Sequence, residues 1–570
     1  MSETVTNATS PTARPTLTPD AATGHVDTFC AEHLPPPALW PVRDWSGVPE
    51  LAYPPRLNCA TVLLDDAVAE GHGGRPALRF PAGAWTYAEL LATANRVAHV
   101  LVEELGLVPG NRVLLRAPNT PMLAACWLGV LKAGGVVVCT MALLRERELR
   151  QIADKAEITL ALTDARMADA CETAFRTRGD GTPRAGARVV RFGAGTPDGG
   201  AELEALMRGK PATFADRDTA AEDTALIAFT SGTTGQPKGT MHAHRDLLAV
   251  TDCFSRYVLA PRADDLFCGS PPLAFTYALG GLLLFPLRAR ACALLLEQAT
   301  PPHLIRAIAE HRPTICFTAP TAYRAMCAML AEHDVSSLRA CVSAGEALPL
   351  SVFEAWRAAT GVAIVDGIGS TEMLHIFISA AGDAIRPGST GRAVPGYRAK
   401  VVAEDGSDAP DGTVGRLAVG GPTGCRYLAD EERQREYVRD GWNLTGDSYV
   451  RDADGYFWYQ ARTDDIIVSA GYNIAGPEVE NVLLEHPAVQ ECAVVGAPDE
   501  ARGQIVKAVI VLRGERAPDA DDAALVKELQ EFVKVRIAPY KYPRVVQFVS
   551  ALPRTTTGKL QRFRLREGDA

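Results

Sequence analysis

The chain has 570 residues and a net charge of −10 at pH 7, with 47% hydrophobic and 22% charged residues. Its length exceeds what one hydrophobic core supports, so two or more domains are expected, and its composition is ordinary for a soluble globular protein. The acidic balance argues against a nucleic-acid-binding protein.

The cysteines and the apolar segments indicate the expected location of the protein. The 13 cysteines form no C-x-x-C pair, so neither a disulfide framework nor a zinc site is indicated, and a reducing cytoplasm is the predicted location. The longest apolar stretch, residues 278–287, is far shorter than the ~20 residues of a membrane helix, so no membrane association is expected.

Strands and helices alternate through the first two thirds of the chain. Residues 1–24 lack periodicity and are predicted to be a disordered tail, and residues 86–89 fit a capping box that opens a helix ending before Gly106. The predicted strands that follow are 113–115, 135–139, 158–162, 225–229, 315–318, 340–343 and 362–365, and the predicted helices are 121–132, 244–258, one from about 320, and 350–359. This alternation predicts parallel-rich sheets covered by helices.

The pattern changes in the last third. Short strands and Gly/Asp turns predict a small β-rich subdomain at about 388–458, and residues 462–570 have the pattern of a compact α+β unit. Its predicted helices are 477–485 and 522–535, and its predicted strands are 491–495, 506–512 and 545–549. The expected class is therefore α/β, with a large N-terminal domain at 25–461 and a small C-terminal domain at 462–570.

The motif that organises the chain is Thr-Ser-Gly-Thr-Thr-Gly-Gln-Pro-Lys-Gly at residues 230–239. An apolar run precedes it and the helix at 244–258 follows, so a strand, a glycine loop and a helix are expected in that order. Glycines let backbone N–H groups turn toward a phosphate, hydroxyls add donors, and a lysine adds a mobile cation. The predicted phosphate contacts are Thr230, Ser231, Gly232, Thr233, Thr234, Gly235 and Lys238. The glycine spacing is not that of a Walker A loop, and an exposed turn is the alternative.

This motif resembles the signature of the adenylate-forming superfamily, which includes acyl-CoA synthetases, peptide-synthetase adenylation domains and firefly luciferase. Further segments resemble motifs of that superfamily in the same order along the chain: Ser-Ala-Gly-Glu at 343–346, Gly-Ile-Gly-Ser-Thr-Glu at 367–372, Trp-Asn-Leu-Thr-Gly-Asp at 442–447, the segment 462–480, and Pro-Arg-Thr-Thr-Thr-Gly-Lys at 553–559. Each alone could be a turn, but independent turns would not occur in this order.

The resemblance implies a site for ATP and Mg²⁺. Glu372 would hold Mg²⁺ on the phosphates, and Thr371 would contact the α-phosphate. The Asp447 carboxylate would accept hydrogen bonds from the ribose hydroxyls, with Arg462 reaching ribose or phosphate. Lys559 would contact both the acid substrate and the α-phosphate, as a flexible cation that follows charge into the transition state. The adenine side of the site would add Ala344, Gly345, Glu346, Asp366, Gly367 and Ile368.

The C-terminal domain is expected to be mobile. Asp464 aligns with the hinge position of the superfamily, Gly471 aligns with the glycine that lets the pantetheine arm of coenzyme A pass, and Tyr472 follows it. The cluster of Lys534, Arg536 and Lys541 is a candidate site for the nucleotide end of coenzyme A, or alternatively a solvated helix face.

Two segments, 274–280 and 366–378, resemble the benzoate-CoA ligase branch of the superfamily. On that resemblance a flat aryl pocket is lined by Phe275, Thr276, Tyr277, Gly369, His375 and Ile376, with His375 near the substrate carboxylate. The branch more often has Ala at position 276, so the Thr276 side chain would narrow the pocket or bond a ring substituent. For His375, a core histidine without substrate contact is the alternative.

The predicted activity is an ATP-dependent aryl acid-CoA ligase. The segment 33–40 also resembles the amino-terminal region of 2-aminobenzoate-CoA ligases, so an amino- or hydroxybenzoate is a specific hypothesis. The first alternative is an adenylating enzyme that loads a carrier-protein phosphopantetheine, and the second is a non-catalytic nucleotide-binding module. The predicted partners are the aromatic acid, ATP and coenzyme A, and a homodimer is left open.

Overall fold

The computed structural model describes residues 22–193, 202–231, 237–462, 465–469, 472–499, 502–514, 522–537, 539–554 and 560–566. The helices in this part are α1 (Phe29–Glu32), α2 (Tyr87–His99), α3 (Pro121–Lys132), α4 (Glu146–Lys155), α5 (Ala168–Arg176), α6 (Glu202–Met207), α7 (His244–Val250), α8 (Thr276–Leu279), α9 (Phe285–Arg288), α10 (Pro301–His311), α11 (Pro320–Cys327), α12 (Leu350–Thr360), α13 (Glu431–Tyr437), α14 (Gly476–Leu484), α15 (Asp522–Lys534) and α16 (Arg562–Arg566). Turns of π-helix extend α2 to Glu104 and α7 to Leu259, and join α8 to α9.

The strands are β1 (Pro76–Phe80), β2 (Gly83–Thr86), β3 (Arg112–Arg116), β4 (Val136–Thr140), β5 (Leu160–Asp164), β6 (Arg188–Phe192), β7 (Thr224–Ser231), β8 (Pro237–Ala243), β9 (Leu266–Gly269), β10 (Cys292–Leu294), β11 (Ile315–Thr318), β12 (Ala340–Ser343), β13 (Ile364–Gly369), β14 (Ile376–Ser379), β15 (Arg392–Ala393), β16 (Arg398–Val402), β17 (Val414–Gly420), β18 (Val438–Arg439), β19 (Trp442–Arg451), β20 (Phe457–Arg462), β21 (Ile467–Ser469), β22 (Tyr472–Ile474), β23 (Val489–Asp499), β24 (Gly503–Leu512) and β25 (Val545–Phe548).

Two parallel-rich sheets form the centre of the large domain. The first sheet has the order β6-β5-β3-β4-β7-β8, and the second has the order β15-β14-β13-β12-β11-β9-β10-β1-β2. Helix α3, which is apolar along nearly its whole length, is buried between them and packs against α2. The predicted capping box at Thr86 and Glu89 is present, and it fixes the start of α2. The predicted α/β architecture is confirmed.

The remaining sheets belong to the smaller units. Strands β16, β17, β18, β19 and β20 form an antiparallel sheet, as expected of the β-rich subdomain. In the C-terminal unit, β21 to β25 form a mixed sheet whose one face packs on α14 and α15 and whose other face packs on α16. Within the described residues, no helix has both the length and the apolarity that crossing a bilayer requires.

One strand at the organising motif was not predicted. β8 begins at Pro237, within the motif, and pairs antiparallel with β7, so a second strand lies between the loop and α7, which begins at the predicted residue His244. The other edge of β8 is also paired, since Met241 N–H donates to Arg426 O (2.8 Å) and Leu428 N–H donates to Gly239 O (2.8 Å). Pairing on both edges stabilises the extended backbone, and the alternation of polar and apolar residues from Lys238 to Ala243 is the sequence signal for it.

Candidate active site

The hairpin of β7 and β8 holds the organising motif. Thr230 and Lys238 are directly opposite each other in the hairpin, and both side chains are half-buried. Burial, and then the positive charge of Arg433, lower the pKa of Lys238, whereas the Glu372 carboxylate opposes this shift. The predicted contacts Gly232, Thr233, Thr234 and Gly235 lie outside the described residues, as does the side chain of Ser231.

The loop between β13 and β14 lies against this hairpin. His242 Nε2–H, from β8, donates to Thr371 O (2.8 Å), and the Tyr427 hydroxyl donates to Glu372 Oε1 (2.7 Å). A Cβ at Gly369 would lie 2.7 Å from the backbone carbonyl of His375, so only glycine fits there. The structure therefore brings Lys238, Thr371 and Glu372 together.

The predicted adenine side is formed by the ends of two neighbouring parallel strands. Ser343 of β12 is opposite Asp366 of β13, and Ala344, Gly345 and Glu346 follow directly. Gly345 has φ +91°, in the left-handed region that favours glycine. A Cβ at Gly367 would meet Ile376 at 2.8 Å, and Ile368 is half-buried beside it.

Asp366 is a half-buried residue whose carboxyl group has an altered protonation equilibrium. Burial of the carboxyl group raises its pKa from 3.8 to about 7, although Gly367 and Ser343 oppose this shift. The folded chain therefore keeps a proton on Asp366 that the unfolded chain releases between about pH 4 and pH 7. Stability contributed by this group is present below the unfolded pKa and is lost as pH rises through the folded pKa.

We therefore expect Asp366→Asn to stabilise the protein increasingly as pH rises. The gain in melting temperature over the unsubstituted chain should be larger at about pH 8 than at about pH 5, and the free energy involved is about 4 kcal/mol at most. Thermal unfolding across that range checks this expectation. The exposed Asp383→Asn is the matched control and should show no such trend. A gain independent of pH would show that Asp366 is ionised in the fold.

The predicted ribose contacts are neighbours in the subdomain sheet. Asp447 of β19 and Arg462 of β20 are directly opposite each other, with Arg462 Nη1 and Asp447 Oδ1 3.4 Å apart. The positive charge of Arg462 also lowers the pKa of Lys238, so the two side chains lie near each other. Both residues therefore lie on the side of the subdomain that faces the hairpin of β7 and β8.

The C-terminal unit contacts the large domain at the predicted adenine segment. Arg554 Nη1 is 3.4 Å from Glu346 Oε1, and Arg554 Nη2 is 2.9 Å from Glu491 Oε2. Glu491 also pairs with Arg324 of α11 at 2.9 Å, so charges alternate across the interface. Arg554 and Leu560 pair as a β-bridge on either side of residues 555–559. Lys559, Asp464 and Gly471 themselves lie outside the described residues, as does the side chain of Tyr472.

The predicted aryl-pocket segment packs against His375. The His375 ring lies 5.8 Å from that of Tyr277 and 4.6 Å from that of Phe285, between centroids, and Phe254 and Phe317 complete an aromatic cage. Its Nε2 is 3.2 Å from Tyr277 O, while Nδ1 has no partner among the described residues. Burial lowers the pKa of His375 to about 3, so the ring is neutral. Phe275 and Thr276 are half-buried at the start of α8, and Ile376 opens β14.

The predicted coenzyme A cluster is balanced by acidic residues. Lys534 Nζ lies 2.7 Å from Glu531 Oε1, Arg536 Nε lies 3.4 Å from Glu485 Oε2, and Lys541 Nζ lies 2.6 Å from Glu478 Oε1. A site for a polyphosphate at this cluster would have to displace these carboxylates. Its assignment to coenzyme A stays a prediction.

Comparison with known families agrees with this arrangement. A sequence model described as AMP-binding enzyme matches residues 65–427, and one described as AMP-binding enzyme C-terminal domain matches residues 478–559. This chain belongs to the AMP-binding enzyme family.

Relatives of this AMP-binding enzyme include proteins named as aryl acid-CoA ligases. Benzoate-CoA ligase of Thauera aromatica is 36% identical, over 92% of this chain and 99% of that protein. The 3-hydroxybenzoate-CoA ligase of an Aromatoleum strain is 32% identical, over 90% of this chain and 97% of that protein. Among solved structures, the anthranilate CoA ligase AuaEII in complex with anthranoyl-AMP has a TM-score of 0.84 at 34% identity, covering 91% of this chain and 99% of that chain.

Two residues of this AMP-binding enzyme were missed by sequence reasoning. Tyr427 and His242 hold the Thr371-Glu372 segment but lie 55 and 129 residues away from their partners. His242 had a local signal, because it follows Lys238 at a spacing of four and therefore lies on the same face of β8. Tyr427 had none, since it precedes a helix in a segment without a recognised motif.

Proposed function

We propose that this AMP-binding enzyme is an ATP-dependent ligase that activates an aromatic carboxylic acid as an acyl adenylate and transfers the acyl group to the thiol of coenzyme A. The proposal rests on one loop that contributes residues to both parts of the proposed site. Residues 369–376 include Glu372, next to the hairpin of β7 and β8, and His375, inside the aromatic cage. An acid bound at the predicted aryl segment beside this loop and a phosphate at the hairpin would therefore be neighbours. The similarity to aryl acid-CoA ligases along most of the chain supports the aromatic substrate.

The first half-reaction needs positioning and charge neutralisation and no protein nucleophile. A carboxylate oxygen attacks the α-phosphorus of ATP, the bond to the bridging oxygen breaks, and pyrophosphate leaves. In this proposal Thr230, Lys238 and Thr371 orient the phosphates, and Asp447 and Arg462 hold the ribose. Lys559 would neutralise charge on the acid and the α-phosphate.

The residues present fit Mg²⁺. Glu372 offers hard carboxylate oxygens beside the hairpin, and its Oε2 accepts no hydrogen bond from the described residues. Those residues include no group of three or more His, Cys, Asp or Glu that could hold a metal ion. Mg²⁺ would accordingly be held by Glu372 together with ATP phosphate oxygens and water, and would supply neutralisation of phosphate charge.

In the second half-reaction the thiol of coenzyme A attacks the acyl carbon and AMP leaves with the bonding electron pair. We propose that the C-terminal domain rotates about Asp464 for this step, which removes Lys559 and presents Gly471, Tyr472 and Lys534 to coenzyme A. The mixed anhydride is activated because AMP, unlike oxide, is a good leaving group. A carrier-protein phosphopantetheine could offer the same thiol.

The proposed location is the cytoplasm.

The proposed function predicts a preference for aryl acids. Thioester formation should be at least about tenfold more efficient, in kcat/KM, on benzoate, 2-aminobenzoate or a hydroxybenzoate than on octanoate. Thr276→Ala should shift the preference among ring substituents by about tenfold, because it removes a methyl and a hydroxyl from the pocket. Thr360→Ala, at the end of α12, is the control. Running each acid with free coenzyme A and with a phosphopantetheinyl carrier identifies the acceptor. Activity on octanoate alone would contradict the aryl pocket.

A further inference from the structure

Two side chains from outside the loop hold residues 371 and 372. The Tyr427 hydroxyl donates to Glu372 Oε1 at 2.7 Å, and the His242 ring donates from Nε2 to Thr371 O at 2.8 Å. Both donors are buried, with exposures of 2% for Tyr427 and 0% for His242. One contact fixes the carboxylate and the other fixes the peptide group next to it.

Both donors belong to one small layer of extended chain. His242 is in β8, and Tyr427 is bridged to Thr240 of the same strand. Tyr427 N–H also donates to the side-chain Oε1 of Gln434 at 2.9 Å, which fixes the tyrosine backbone on its other side. Because β8 also bears Lys238, this layer connects the predicted phosphate-binding residue with the predicted metal ligand.

A cluster of ion pairs holds this layer of extended chain in place. Arg426, the neighbour of Tyr427, lies 3.2 Å from Asp246 and 3.5 Å from Glu222, and Arg43 lies 3.2 Å from Asp246. Asp246 also accepts from Ala243 N–H at the end of β8 (2.8 Å). Buried charges that are paired in this way resist displacement, since breaking one pair leaves an uncompensated charge.

Both donors keep the proton that their hydrogen bonds require. Burial lowers the pKa of His242 to about 4, so the ring is neutral above that pH, and a carbonyl acceptor requires the proton on Nε2. Arg426 and Arg43 lower this pKa further, whereas Asp246 and the bond to Thr371 oppose the shift. Burial and the Glu372 charge raise the pKa of Tyr427, so its hydroxyl stays protonated.

We propose that Tyr427 and His242 are positioning residues that set the orientation of the Glu372 carboxylate for a divalent cation bound with the nucleotide. The inference rests on the proposed adenylating function of the site. Outer partners that orient a ligating carboxylate typically change metal affinity by about 10- to 100-fold. Neither residue contacts the reacting atoms in this account.

The test measures metal affinity and needs no turnover. Mn²⁺ is titrated into the full chain saturated with α,β-methylene-ATP, whose α–β bond cannot be broken, and free Mn²⁺ is followed by electron paramagnetic resonance. Tyr427→Phe should weaken Mn²⁺ binding about tenfold, while its affinity for metal-free AMP stays unchanged. Tyr87→Phe is the matched control, because Tyr87 is buried and its hydroxyl donates to Ala291 O at 2.8 Å, away from this layer.

His242 provides an independent pair of variants should Tyr427→Phe be poorly folded. His242→Leu removes the donor and should weaken Mn²⁺ binding about tenfold, whereas His242→Gln keeps an N–H donor and should restore most of it. Equal affinities in the Leu and Gln variants, or Mn²⁺ binding by Tyr427→Phe within about twofold of the unsubstituted chain, would overturn the positioning role alone. Failure of the unsubstituted chain to bind either nucleotide would overturn the proposed function as well.

Discussion

Lys559→Ala is expected to slow pyrophosphate release from acid and MgATP by about 10²- to 10³-fold, the usual cost of removing one preorganised group that stabilises transition-state charge. The same variant should convert synthetic acyl adenylate and coenzyme A to thioester at close to the unsubstituted rate, because the lysine serves only the first half-reaction. Release of radiolabelled pyrophosphate and thioester absorbance measure the two steps separately.

The structure gives this prediction a physical basis. Arg554, five residues before Lys559, contacts Glu346 of the predicted adenine segment, so the described start of the C-terminal motif lies at the interface between the domains. Lys527→Ala, on the exposed face of α15, is the matched control and should leave both steps intact. Equal slowing of both half-reactions would mean that Lys559 acts through folding or domain placement.

Glu372→Gln is expected to lower the rate of acyl adenylate formation by about 100-fold. The amide keeps the shape of the side chain and one oxygen, but it loses the charge that a hard divalent cation prefers. Raising the Mg²⁺ concentration should restore part of the rate, so the variant shows a higher half-saturating Mg²⁺ concentration. Pyrophosphate release measured across a Mg²⁺ series checks this.

The control for this substitution is Glu354→Gln on the exposed side of α12. It removes the same charge from the large domain without altering the loop at 369–376. A Glu372→Gln variant whose Mg²⁺ dependence matches that of the unsubstituted chain would remove Glu372 from the metal site, whatever its rate.

Helices and parallel strands could be predicted where the local sequence pattern and burial in the fold favour the same element. The apolar helix at 121–132 has these bounds in the structure, since Thr120 caps it and Pro121 occupies its first turn. The strands at 315–318 and 340–343 also match, because short apolar runs between turns leave little choice of register. Where the chain pairs with a distant segment, as β8 does with residues 426–428, the strand was not predicted.

The candidate site was predictable in part for the same reason. Motif residues such as Glu372 and Asp447 follow recognisable turns. The structure brings Glu372 close to Lys238 and places Asp447 opposite Arg462. Residues that hold the site in place, such as Tyr427, reach it through long-range contacts that no local sequence pattern encodes. The setting of His375 likewise depends on rings from three separate segments, including Phe254, so only the folded chain reveals the cage.

The proposed adenylation step can be tested by a trapping measurement without coenzyme A. The full chain is mixed with MgATP and benzoate or 2-aminobenzoate, quenched with acid, and examined by mass spectrometry. An aryl adenylate is expected in an amount close to one per chain, together with an equal amount of pyrophosphate. Release of ADP or orthophosphate in place of pyrophosphate, or absence of any adenylate while ATP remains bound, would contradict the proposed step.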